Sequence, residues 1–106
     1  DGNQASHHGI DFAGAAGTQV LAVADGIVSH TGTDGGYGRL VEITHGDGYV
    51  TRYAHNAKVL VKPGETVKRG DAIALMGSTG RSTGTHLHFE VLRHGKPMNP
   101  LSFVRR

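Results

Sequence analysis

The chain has 106 residues, 37% of them hydrophobic, with 17 glycines, eight histidines, no cysteine and a formal charge of +2 when the histidines are neutral. That length makes one domain, residues 1–106, with a thin core. The mild charge, with no basic stripe interleaved with aromatics, gives no sign of nucleic-acid binding, and the lack of cysteine excludes disulfides and thiolate metal sites. Glycine, at more than twice its usual usage of about 7%, is scattered without a period, so it punctuates short strands and builds no collagen-like repeat or linker. No apolar run has the length of a membrane span. Asp1 opens the chain without Met and without a signal peptide, which predicts a mature or excised domain; the missing cysteine fits an oxidising envelope compartment.

Residues 1–6 are polar and unpatterned, which predicts a frayed end. In the extended reading of 7–13, His7, Gly9 and Asp11 share one face, while His8, Ile10 and Phe12 share the other. A straight strand would hold His7 and Asp11 about 13 Å apart, so Gly9 must allow a bend if the two are to meet. Residues 18–24 and 27–30 read as two strands joined by an Asp25-Gly26 turn, a hairpin signal. A glycine-rich loop over 32–38 carries Tyr37. Strand 40–45 turns at Gly46-Asp47-Gly48 into strand 49–55, where Tyr49, Thr51, Tyr53 and His55 fall on one face. Residues 59–71 predict two short strands around a Pro63-Gly64 turn, and 71–76 a buried strand. Turn signals every eight to twelve residues, with no sustained helical period, predict an all-β fold of folded, sandwich-like antiparallel sheets with short loops and little or no helix.

After a Gly- and Ser/Thr-rich loop, 77–84, the chain alternates strictly. Leu87, Phe89 and Val91 fall on one side, and His86, His88 and Glu90 on the other. Two histidines at i and i+2 reach one small volume, although alone they read rather more readily as solvated polar residues. Partners elsewhere shift that balance. His7, Asp11 and His55 join His86 and His88 as five candidates for three nitrogen or oxygen ligand positions and two outer roles. A metal hydrolase site needs three such ligands, an open fourth position for water and a group to take a proton. Imidazole and carboxylate suit Zn²⁺, though copper and nickel bind such sets too. Glu90 either orients an imidazole or forms a surface ion pair. His8 is a decoy ligand, and His30, His45 and His94 are expected at exposed turns and strand ends. Arg81 and Arg93 read as surface charges, with Arg81 lining a groove if the 77–84 loop walls it.

His7-x-x-x-Asp11, Thr51-x-Tyr53-x-His55 and the run Gly77 to Glu90 that contains Thr85-His86-Leu87-His88 resemble the lysostaphin-type, LytM-like zinc endopeptidases of peptidoglycan. The resemblance runs from His7 to about Leu101 and takes in Gly17-Thr18-x-Val20, Asp25-Gly26, Gly36-Tyr37-Gly38 and Val61-Lys62-x-Gly64. It implies one zinc per chain held by His7, Asp11 and His88, with His55 and His86 as unligated catalytic histidines, and a substrate groove with Tyr53 and Arg81 as candidate linings. It also implies a bacterial envelope location, in periplasm or outside the cell, and a peptidoglycan cross-link as substrate, either D-alanyl–diaminopimelate or glycyl-glycine. A monomer is expected. Gln19 and Thr85 depart from positions where proline is common in the family, and nothing upstream of His7 matches the Arg many relatives carry. Two rivals remain. A non-catalytic cell-wall domain that activates a separate amidase needs the groove and no metal, and a biotinyl- or lipoyl-type carrier would need a lysine at the Asp25-Gly26 tip, which is absent.

Overall fold

The computed structural model describes residues 3–5, 9–80 and 84–100. In chain order the strands are β1 (Asn3–Ala5), β2 (Ile10–Ala13), β3 (Gln19–Leu21), β4 (Gly26–Thr33), β5 (Arg39–Gly46), β6 (Tyr49–Val59), β7 (Thr66–Val67), β8 (Ala72–Met76), β9 (His86–Arg93) and β10 (Lys96–Met98). A 3-10 turn, Gly35–Tyr37, lies between β4 and β5. The described strand pairs are all antiparallel. They run β1-β2-β9-β6-β5-β4-β7, with β10 added to β9 and the β3-β8 pair joined to β6. The expected all-β architecture is what forms.

Period-two alternation builds the core. Ile10, Phe89, Tyr53 and Val41 are successive cross-strand partners, and so are Val91, Thr51, Ile43 and Val28. These two rows lie on one side of the sheet, and every member is buried. Val20, Ile73, Ala74 and Met76 from β3 and β8 pack against the same core. Each fully buried side chain of this kind contributes roughly 1.5–3 kcal/mol. The Tyr53 and Phe89 rings meet at 5.4 Å and 52°, the tilted contact their quadrupoles favour. On the opposite side the same registers line up Asp11 with His88 and Ala54, and Glu90 with Arg52 and Glu42.

The longest strand, β6, serves two partners along one edge. Tyr49 to Ala54 pair with β9, and Asn56 to Val59 pair with β8. The change falls at His55, whose backbone is left-handed at φ 66°. This irregularity releases carbonyls from the ladder. Asn56, fully buried, donates its amide to two of them, Tyr53 O at 2.8 Å and Arg39 O at 2.9 Å. The β8–β9 connection is closed at its base by His86 N to Gly77 O at 3.2 Å.

Three local expectations are corrected. Residues 3–5, expected to fray, form β1 against β2, because an edge strand needs backbone partners and no side-chain pattern. The Asp25-Gly26 hairpin does not form: β3 pairs with β8, while β4 pairs with β5 and β7. Asp25 instead accepts the Arg69 amide at 2.8 Å. At Gly26 an added Cβ would stand 2.6 Å from Thr44 O, so its glycine serves close strand approach. Around Pro63-Gly64 only β7 is a strand, and it pairs with β4, since Val59 already belongs to β6.

Candidate active site

The polar face of β9 meets β2 and the irregular point of β6, and there the site assembles. His88 Nδ1 lies 2.6 Å from Asp11 Oδ1, and His88 Nε2 lies 2.9 Å from Glu90 Oε2. His86 Nε2 is 3.6 Å from the same Asp11 oxygen. The His55 ring is 4.8 Å from that of His86 and 6.1 Å from that of His88. Asp11, His55, His86 and His88 therefore share one small volume. His7, the remaining expected ligand, lies outside the described residues, as do His8 and Arg81.

Simple alternation predicts His55 on the Tyr53 face, in the core. The left-handed residue breaks that count and carries the imidazole to the His88 side. His55 Nδ1 then donates to the Thr79 carbonyl at 2.7 Å. His86 does the same locally, with Nδ1 3.0 Å from Gly84 O. A nitrogen that donates to a carbonyl carries the proton, so in both neutral rings Nε2 is the basic atom.

Tyr53 is corrected as a groove residue. It is 1% exposed, and its hydroxyl accepts from Thr51 Oγ1 at 2.9 Å and from the Val23 amide at 3.2 Å. It packs in the core beneath the site. His45, expected to be exposed, is half-buried between Asp25 O at 2.8 Å and Thr51 Oγ1 at 2.7 Å. His30 and His94 are exposed, as expected. Arg93 is exposed and stacks 4.9 Å from the Tyr49 ring.

Several residues join the site without a strong sequence signal. Thr79 staples it: its hydroxyl donates to Asn56 O at 2.7 Å and accepts the Arg39 amide at 3.1 Å. Gly38 and Gly80, both at positive φ, stand back to back, and a Cβ on either would collide with the other's loop. Their contact locks the Tyr37 turn against the Thr79 segment. Gly9 gives close approach of another kind, since an added Cβ would fall 2.5 Å from His88 Cε1. Glycine pairs in loops hint at such contacts, but only the fold says which loops meet.

Charges follow from these contacts. Burial pushes His55 below the ordinary imidazole value, helped by His86 and His88 and opposed by the bond to Thr79. The Glu90 hydrogen bond holds His88 above that value, with Asp11 adding to it and burial opposing. Burial alone would raise Glu90; the hydrogen bonds from His88 and Tyr37 outweigh it and keep the carboxyl below its usual range. Burial and the Glu90 charge raise Tyr37, which stays a hydroxyl donor.

Among the described residues, no group of three His, Cys, Asp or Glu side chains is arranged to hold a metal. The donor set still fits a borderline divalent ion. Asp11 Oδ1 and His88 Nδ1 converge, and Glu90 takes the other nitrogen of the ring, the usual partnering of a ligating histidine.

An all-β domain with this histidine and carboxylate cluster has clear counterparts. Residues 5–100 match peptidase family M23, and the chain belongs to that family. Over 97 residues it is 47% identical to the peptidoglycan DD-endopeptidase ShyA of Vibrio cholerae, covering 92% of this chain and 23% of that protein. Over 103 residues it is 46% identical to the murein hydrolase activator NlpD of Escherichia coli, covering 96% of this chain and 27% of that protein. The chain thus spans about a quarter of these relatives. Among solved structures, the catalytic domain of the antimicrobial peptidase lysostaphin from Staphylococcus simulans superposes with a TM-score of 0.88 at 34% identity, covering 94% of this chain and 80% of that one. A zinc-containing peptidase from Vibrio cholerae gives 0.84 at 47% identity, covering 88% and 29%. Family and neighbour together imply a metal.

Proposed function

We propose that this domain is a zinc-dependent endopeptidase that hydrolyses peptide cross-links of bacterial peptidoglycan in the cell envelope. His7, Asp11 and His88 are the metal ligands, and His55 and His86 carry protons. The observation that supports this most is the pair of tethered imidazoles, His55 and His86. Each is tied through Nδ1 to a backbone carbonyl, and both stand beside the Asp11–His88 pair.

A zinc ion at this site would act as a Lewis acid and bring the pKa of its water to about 7. The chain's own residues do the rest. A neutral imidazole with Nε2 basic accepts a proton from the attacking water as its oxygen joins the peptide carbonyl carbon. The same proton is delivered to the amide nitrogen as the C–N bond breaks, leaving a carboxylic acid and an amine, and the acid's proton passes to the amine to give carboxylate and ammonium ends. Two tethered imidazoles put two basic Nε2 atoms at the site, and the ring that has taken the proton becomes an Nε2–H donor to the developing oxyanion until it passes that proton on.

The D-alanyl–diaminopimelate link is favoured over glycyl-glycine, supported by the 47% identity to a peptidoglycan DD-endopeptidase. The test is digestion of purified peptidoglycan of both cross-link types by the zinc-loaded chain, with mass-spectrometric identification of the new termini. New D-alanyl and diaminopimelyl ends, abolished by a chelator, are expected. The likeness to NlpD, a murein hydrolase activator, supports a second reading, that of a non-catalytic activator. Zinc-loaded chain that binds peptidoglycan and releases no new ends would establish that reading in place of the first.

A further inference from the structure

The 3-10 turn Gly35–Tyr37 brings a phenol to the side of His88 remote from Asp11. The two rings are 6.5 Å apart, and the Tyr37 hydroxyl lies 3.0 and 3.2 Å from the two Glu90 oxygens. A carboxylate only accepts, so Tyr37 is the donor. Glu90, 9% exposed, also accepts His88 Nε2–H at 2.9 Å. Its other neighbour, Arg52, is 3.7 Å from Glu90 Oε1 and gives its Nε to Glu42 at 2.9 Å. The Arg52 guanidinium lies 6.0 Å from the Tyr37 ring. Tyr37 thus has the shorter grip on Glu90.

That grip bears on the metal site. His88 presents each ring nitrogen to a carboxylate, Nδ1 to Asp11 at 2.6 Å and Nε2 to Glu90 at 2.9 Å. Where a metal takes up Nδ1, the Nε2–H held by Glu90 leaves the ring's lone pair on Nδ1, on the Asp11 side. The opposite tautomer would put a hydrogen where a ligand's lone pair must be. We propose that Tyr37 is a positioning residue for the metal site: through Glu90 it holds His88 in the Nε2–H tautomer with Nδ1 aimed at Asp11. This rests on His88 and Asp11 being ligands, as proposed above. The Gly38–Gly80 contact serves the same end by seating the turn that carries Tyr37.

The test is zinc affinity of the whole chain, read by competition with a chromophoric chelator, for the parent, Tyr37→Phe, Glu90→Gln and the double variant. Tyr37→Phe keeps the ring and loses only the hydroxyl. It should weaken zinc binding about tenfold and Glu90→Gln about 10–100-fold, the range for loss of an outer partner. Because Tyr37 acts through Glu90, the double variant should bind no worse than Glu90→Gln alone. Long-range proton–nitrogen NMR of the zinc-loaded parent should show His88 protonated on Nε2. Parent-like affinity in Tyr37→Phe, fully additive losses, or His88 protonated on Nδ1 would each overturn the proposal. If Tyr37→Phe does not fold, Glu90→Gln and the NMR tautomer decide it. A parent that binds no zinc removes the ligand reading and this one with it; a parent that binds tightly beside an unaffected Tyr37→Phe removes this one alone.

Discussion

The two halves of β6 obey different rules. From Tyr49 to Ala54 the strand alternates regularly: Thr51 and Tyr53 enter the core, and Arg52 lies across from Glu90 on the polar side. From Asn56 onward it pairs with another strand, β8, and the residue at the join is left-handed. A regular half can only extend a face that the pattern already defines. The irregular join moves one side chain, His55, from the core side to the site side. A left-handed residue other than glycine costs about 1–2 kcal/mol, which Asn56 and Thr79 offset by bonding the backbone groups set free.

The largest expected effect breaks the site on the regular side. His88→Ala removes a proposed ligand from a strand whose core face is untouched. Zinc affinity should fall well beyond the about 10–100-fold that an outer partner costs, with the metal-free fold intact by circular dichroism. One full, tightly held zinc in this variant would show that His88 is not a ligand.

Next comes the join itself. His55→Asn keeps a residue that tolerates the left-handed backbone and loses the imidazole, so cross-link hydrolysis should drop about a hundredfold or more while the melting temperature stays near the parent's. His55→Val should lose the same activity and also about 1–2 kcal/mol of stability, because a β-branched residue resists that backbone. Equal melting temperatures for the two would mean that φ at this position relaxes freely.

A third substitution separates the halves by stability alone. Asn56→Leu leaves the buried Tyr53 carbonyl and the part-buried Arg39 carbonyl without their donor and should cost roughly 1–3 kcal/mol in denaturant unfolding, the scale for one buried unmet group. Lys58→Ala, exposed two residues further on, should change stability by no more than about 0.5 kcal/mol. Similar losses for both would contradict the account of Asn56 as the residue that holds the join.

The smallest effect is a titration. His55 is held below the ordinary imidazole value of about 6.5, chiefly by burial. The unfolded chain therefore takes this proton more readily than the folded one. His55 should stay neutral as pH falls through about 6.5, and its share of folding stability should decline over the same interval. An NMR titration of the metal-free protein that finds the His55 midpoint above that of free imidazole would reverse the sign.

Much of this was legible in the chain. Strict alternation in Leu87-His88-Phe89-Glu90-Val91 determined both the core face and the polar face of β9, because a strand with one buried side admits a single register. Composition determined the class of donor, imidazole and carboxylate, and turn signals determined that the fold is all-β. Strand pairing was another matter. Asp25-Gly26 carries a hairpin's local chemistry, yet β3 went to β8, since which edge a short strand takes depends on non-local burial. The sequence pattern likewise placed Tyr53 and His55 together on one face. Only the tertiary structure separated them, because a left-handed residue where one strand changes partners has no local signature in a sequence that puts histidine there. Tyr37 joined Glu90 for a similar reason: the two glycines that let their loops touch lie far apart in the chain, and their meeting is decided by packing.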